Sequence, residues 1–123
     1  MAHEISWYMG RRILYVEIGE RFLSARGLQE IDDQLTPFLR YGDSEVHVIL
    51  DASRVDAVQP NLPLLLPALA YVRHPKLGWN VLVASDPVAR AIQPLAPGLR
   101  SFGSLEEGLF FLEDEDTSLL MPI

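Results

Sequence analysis

His47 and Asp51 stand four residues apart in the run Val46-His47-Val48-Ile49-Leu50-Asp51. A histidine with a carboxylate partner is a common device for moving a proton. On a strand, residues four apart share a face, but their Cα atoms lie about 13 Å apart. That separation is too large for direct contact. Asp51 is therefore expected to bond backbone groups in the loop towards Ser53, and His47 to be a packed strand residue. Asp51, Asp56 and Asp86 form a second set. Carboxylates at strand ends can gather round a metal or a phosphate group. Loop aspartates also serve simply as caps and turn formers, and that role is the one expected here.

His3, His47 and His74 lack the spacing of metal ligands. No glycine-rich phosphate loop, serine nucleophile elbow or dinucleotide fingerprint occurs in the sequence. Cysteine is absent, which excludes disulfides, thiolate catalysis and a cysteine-based zinc site. Scattered Arg11, Arg12, Arg73 and Lys76 read as a solvated surface. These observations predict a protein with no metal, no cofactor and no enzymatic activity.

The chain has 123 residues, of which 49% are apolar, and a net charge of -7. This length fits one domain able to bury roughly 65% of its unfolded surface. The acidic balance disfavours nucleic acid and anionic membrane surfaces, which carry the same sign. The longest apolar stretch, Leu62 to Val72, falls well short of the ~20 residues that span a bilayer. Met1-Ala2-His3-Glu4 does not resemble a signal peptide. A soluble cytoplasmic protein is expected.

The elements that must position these residues follow from periodicity. His3 to Met9 and Arg12 to Ile18 alternate about a turn at Gly10-Arg11, the pattern of a hairpin. Ser24 can cap a helix with Leu28, Ile31, Leu35, Phe38 and Leu39 at helical spacing, leaving Asp32, Asp33 and Gln34 mostly on the wet face. Pro37 should kink its last turn. Val46 to Leu50 reads as a strand covered on both faces. Asn61 could cap a helix running roughly from Leu62 to Arg73, with Pro63 in its first turn and a kink at Pro67. A strand over Trp79 to Ala84 leads to a helix started by Ser85-Asp86-Pro87 and stopped by Pro97-Gly98. A short strand at Arg100-Ser101-Phe102 precedes the capping box Ser104-Leu105-Glu106-Glu107 and a final helix. The predicted order is β-β-α-β-α-β-α-β-α. An acidic run, Glu113 to Asp116, and an apolar tail, Thr117 to Ile123, close the chain. The tail is expected to be disordered or to pack on a neighbouring subunit.

The helix expected after Asn61 is apolar all round: Leu62, Leu64, Leu65, Leu66, Ala68, Leu69, Ala70, Tyr71 and Val72. A helix lying on a small sheet should carry one apolar stripe. Apolar residues on every side call for a second cover, such as another subunit, a partner or a ligand.

From about Val46 to Leu112 the sequence resembles a STAS domain, the SpoIIAA-like family of anti-sigma-factor antagonists. Leu50-Asp51-Ala52-Ser53-Arg54-Val55 matches the family's strand end, and Trp79-Asn80-Val81-Leu82-Val83-Ala84-Ser85-Asp86-Pro87 its next strand and helix cap. Phe102-Gly103-Ser104-Leu105-Glu106-Glu107 matches its last strand-to-helix join. The resemblance implies an α/β STAS fold, a mixed sheet of about five strands with four helices, over residues 1–113, with a tail over 114–123. It also implies a regulatory module that binds a protein partner. The family usually places Asp-Ser-Ser-Gly, with its regulatory serine, before the central helix. Those positions fall here on Gln59, Pro60, Asn61 and Leu62, none of which accepts a phosphate. The expected interaction surface is Asp56, Gln59, Pro60, Asn61, Leu62, Leu65, Leu66 and Leu69, used in a homodimer or with a protein partner and without phosphorylation. The alternative is a carrier of an apolar small molecule or lipid, as in SEC14-like relatives, with a cavity of roughly 300 Å³ or more.

Overall fold

The computed structural model describes residues 3–42 and 44–120. β1 (His3–Tyr8) and β2 (Ile13–Ile18) form the expected hairpin, paired from His3 with Ile18 to Tyr8 with Ile13. Its turn places Met9 and Gly10 at positive φ, a conformation that suits glycine and strains methionine. β3 (Phe22–Leu23) leads to α1 (Ala25–Leu39), capped by the Ser24 hydroxyl, which accepts from the Gly27 N–H at 3.0 Å. Pro37 lies two residues before the end of that helix. β4 (Val46–Asp51) is buried along its whole length, as the nearly all-apolar run Val46 to Leu50 predicts.

β5 (Ala57–Val58) and α2 (Leu62–Leu65) follow, then a 3-10 turn at Ala70–Arg73 and β6 (Leu77–Val83). α3 (Asp86–Ile92) runs into a 3-10 turn at Gln93–Leu95. β7 (Arg100–Phe102), α4 (Leu105–Glu115) and a 3-10 turn at Thr117–Leu120 complete the described chain. The main sheet has the order β1-β2-β4-β6-β7, antiparallel at β1 and parallel elsewhere. It is the mixed five-stranded sheet with four helices read from the sequence. Two-residue β3 and β5 pair parallel as a separate small sheet that the sequence reading did not contain.

The sheet divides the core in two. One face packs Leu14, Val16, Val48, Leu50 and Leu82 beneath α1, α2 and α3. The other packs Ile13, Ile49, Val81 and Val83 beneath α4. α4 approaches closely at Gly108, where an added Cβ would lie 3.1 Å from the Val81 side chain. Its own start is set by Ser104, whose hydroxyl accepts from the Glu107 N–H as a capping box should.

Two expectations are corrected. The helix predicted from Leu62 to Arg73 is two short turns with extended chain between them. Leu66 precedes Pro67, which disfavours helical backbone before it, and Leu66 adopts φ -144° and ψ 126°. Asp32, predicted on the wet face, is 4% exposed. Its carboxylate accepts from the N–H groups of Ala70 and Tyr71, each at 2.9 Å. Those donors open the 3-10 turn and need an acceptor, so burial of Asp32 is compensated. α4 continues to Glu115, and Leu119 is buried against the α4 side of the sheet. Met121, Pro122 and Ile123 of the predicted tail lie outside the described residues.

Candidate functional site

The loop and turn from Asp56 to Leu69 hold every residue of the expected interaction surface, and the structure sorts them into two groups. Leu62, Leu66 and Leu69 point into the core at 5% exposure or less. They anchor the segment from beneath and are not available to a partner. Leu65 is 55% exposed and its neighbour Leu64 is 84% exposed. Leu64 was missing from the expected surface. The buried three are spaced i, i+4 and i+7, so they line one side of the segment even though Pro67 divides it, and Leu64 and Leu65 fall on the other side.

Asn61 occupies the N-cap position in the left-handed region, φ 60° and ψ 35°, and its side chain caps nothing. Asparagine tolerates this conformation better than most side chains. Gln59 is tied inward: its side-chain oxygen accepts from the Ala25 N–H at 2.9 Å, and its own N–H donates to Leu23. It therefore joins the loop to the start of α1. Asp56 pairs with Arg21 at 3.2 Å in a solvated contact. Pro60 is exposed. Exposed Phe22 belongs to β3, which pairs with β5 of this same loop.

The titratable residues singled out in the sequence separate as their spacing requires. Asp51 accepts from the Ser53 N–H at 3.1 Å, the expected loop bond, and also from the Tyr15 hydroxyl. Burial, then that bond to Asp51, raises the Tyr15 phenol well above its ordinary pKa. Asp56 and Asp86 do not join Asp51 in a group of candidate metal ligands among the described residues.

His47 is 1% exposed and sits opposite an irregularity in β6. Two steps along β4, from Val46 to Val48, face three along β6, from Leu77 to Asn80. Trp79 N–H turns to the ring and donates to His47 Nδ1 at 2.9 Å. A side chain at Gly78 would collide with that ring. Since Nδ1 accepts, Nε2 carries the proton and donates to Asp116 at 2.8 Å. Arg12 lies 3.5 Å from the same carboxylate and donates to the Ser118 carbonyl at 2.8 Å. The Ser118 hydroxyl first, and His47 second, hold the Asp116 carboxyl below its ordinary value.

Glu45, His47 and Asp116 are the one group among the described residues whose ligand atoms lie within 4.8 Å of one another. The hydrogen bonds do not suit a metal. Coordination at Nε2 would move the ring proton to Nδ1, where it would face the Trp79 N–H. Arg12 already supplies positive charge to Asp116. The cluster instead fastens the end of the described chain to β4 and to the hairpin.

An apolar cavity of about 230 Å³ is bounded by Tyr8, Tyr15, Ile49, Leu105 and Leu109, on the α4 side of the sheet, and a hollow of about 270 Å³ is lined by Asp56, Ala57, Val58, Pro87, Val88 and Ala91. Both are smaller than the volume expected of a lipid carrier, and the first lies away from the Asp56–Leu69 segment. A larger open hollow near 510 Å³ is lined by Gly19, Arg21, Ser53, Arg54 and Asp56, a polar set. No described helix is long and apolar enough to cross a membrane.

No protein-family model and no curated protein matches the sequence. Solved structures do match. The anti-sigma factor antagonist SpoIIAA in its unphosphorylated form superposes with a TM-score of 0.60 at 15% identity, over 92% of this chain and 97% of that one. This chain has the SpoIIAA-like fold. An uncharacterized protein of the DUF3478 family from Shewanella loihica PV-4, also of SpoIIAA-like fold, gives a TM-score of 0.56 at 14% identity, over 90% and 92% of the two chains. The agreement is one of architecture, as expected from the strand-end and helix-cap patterns. Within this SpoIIAA-like fold the segment between β4 and α2 carries Gln59, Pro60 and Asn61, with no hydroxyl among them.

Proposed function

We propose that this chain is a non-enzymatic regulatory module that binds a protein partner through the segment from Asp56 to Leu65, without phosphorylation at residues 59–61. One observation carries the reading: Leu64 and Leu65 stand exposed side by side on a turn held from below by Leu62, Leu66 and Leu69. An apolar pair costs solubility in water and gains when a partner covers it. Gln59 fixes the loop to α1, so the surface is organised before binding and loses less entropy on contact. The SpoIIAA-like fold supports the regulatory class. The partner is a second copy of the chain or another protein of the same compartment, which we take to be the cytoplasm.

The test is a double substitution, Leu64→Glu with Leu65→Glu. Light scattering across a concentration series reads self-association. Quantitative capture of partners by the wild-type and doubly substituted chains reads the rest. Loss of a dimer, or of a captured protein, with folding intact supports the proposal. Identical oligomer size and identical captured proteins would overturn it.

A further inference from the structure

The α4 side of the sheet is covered unevenly. Over β6 and β7 the helix lays Phe111 against Trp79 at 4.9 Å and Phe102 at 5.2 Å, with the Arg100 guanidinium 5.0 Å from the Phe111 ring. Towards β1 the cover stops, and Glu4, Ser6 and Tyr8 stay exposed on this face. The apolar cavity of about 230 Å³ opens at that boundary, between Leu105 and Leu109 of α4 and Tyr8, Tyr15 and Ile49 of the sheet.

Next to it the strand pairing sets three carboxylates in a row. Glu4 stands opposite Glu17 on β2, and Glu17 is beside Asp51 on β4. Adjacent strands lie only about 4.8 Å apart, and like charges directly opposite destabilise a sheet. Asp51 is shielded by the Tyr15 hydroxyl and the Ser53 N–H. Glu4 is exposed and Glu17 half-buried, and neither forms an ion pair with a described residue.

We propose that this slot and its carboxylate row dock a segment of a partner protein that inserts one large apolar or aromatic side chain next to a lysine or arginine. Volume and charge select this occupant. The slot falls below the roughly 300 Å³ of small-molecule sites and suits a single side chain. The row asks for a cation and repels an anionic membrane surface. A second copy meeting this face by two-fold symmetry would bring Glu4 and Glu17 against themselves. The site does not depend on the surface around Leu64, which belongs to the other layer of the fold.

A random-peptide library displayed on phage and selected on the full chain tests the proposal. The expected consensus pairs an aromatic or long aliphatic residue with an adjacent Lys or Arg. Affinity of the best synthetic peptide should fall about tenfold in Tyr8→Ala, a truncation at an exposed rim position that leaves the core intact. In the double variant Glu4→Gln with Glu17→Gln it should fall about threefold and lose much of its salt dependence. Leu64→Glu should leave it unchanged. Absence of enrichment, an acidic or uncharged consensus, or equal affinity for Tyr8→Ala would each overturn the proposal. Peptides lost with Leu64→Glu but kept by Tyr8→Ala would overturn it while supporting the surface around Leu64.

Discussion

Beneath α1, α2 and α3, the carboxylate of Asp32 is sealed from water and accepts from two backbone N–H groups. On the other side, the carboxylate of Asp116, just past the end of α4, keeps 24% of its side-chain exposure and accepts from Ser118 and from His47 near the start of the central strand β4. Both carboxylates tie a distant stretch of chain into place. The first ties it where no water can substitute, and the second where water stands ready. A lost hydrogen bond is costly mainly when its partner is left dry. The sealed layer is therefore expected to carry stability, and the layer beneath α4, open towards β1, to have room for a partner.

The largest break of that comparison is Asp32→Ala. It leaves the Ala70 and Tyr71 N–H groups without their acceptor in a dry site, and should cost about 3 kcal/mol. Leu69→Ala, which empties the core beside them, should cost a similar ~3 kcal/mol. Urea unfolding measures both, as a lower midpoint with an unchanged slope.

Asp32 also marks where the sequence stops being legible. Helical phase grouped it with Asp33 and Gln34, which are exposed, whereas Asp32 is buried. Nothing local could reveal that the chain some 40 residues later would present two N–H groups to it. The same limit hid the pairing of β3 with β5, since two-residue strands have no period to read. The main sheet was legible because β4 and β6 are long apolar runs and the caps at Ser24 and Ser104 are local bonds. Which residues of the proposed interaction surface are exposed was legible only in part. Composition drew attention to the leucines after Asn61, while the spacing of 62, 66 and 69 sets which of them are buried. His47 was read as a packed residue, and it is one. Its bond to Asp116 spans 69 positions and left no local trace.

The next effect belongs to that bond. His47→Leu removes the acceptor of Trp79 N–H and the donor to Asp116, and should cost about 2 kcal/mol. Hydrogen exchange at the Trp79 amide should speed up. Asp116→Asn should cost less, because the site is wet. Its signature is in pH. The Asp116 carboxyl is held below its ordinary 3.8. Its contacts therefore contribute fully above that value and are lost as pH falls through the lowered one. Wild type and Asp116→Asn should differ at neutral pH and converge in acid, read from unfolding midpoints across that range. A difference that stays constant down to strong acid would place the stabilisation elsewhere.

Tyr15→Phe probes the half-covered face more gently. Asp51 loses the hydroxyl but keeps the Ser53 N–H, so about 1 kcal/mol is at stake. The ring, and with it the wall of the slot, remains.

The smallest expected change in stability comes from the most exposed leucine. Leu64→Glu should shift the unfolding free energy by less than about 0.5 kcal/mol, because a side chain already in water loses nothing by becoming polar. Leu66→Glu, two residues on, buries a charge with no partner and should prevent folding at ordinary temperature. Had the segment been one continuous helix, positions 64 and 66 would lie about 200° apart, and 62, 66 and 69 would still share a face. The broken segment and a continuous helix differ at Ala68, which stands exposed between the two turns. Ala68→Pro decides between them. In extended chain after Pro67 it removes no helical bond and should be tolerated within about 1 kcal/mol, whereas inside a continuous helix it should cost about 3 kcal/mol.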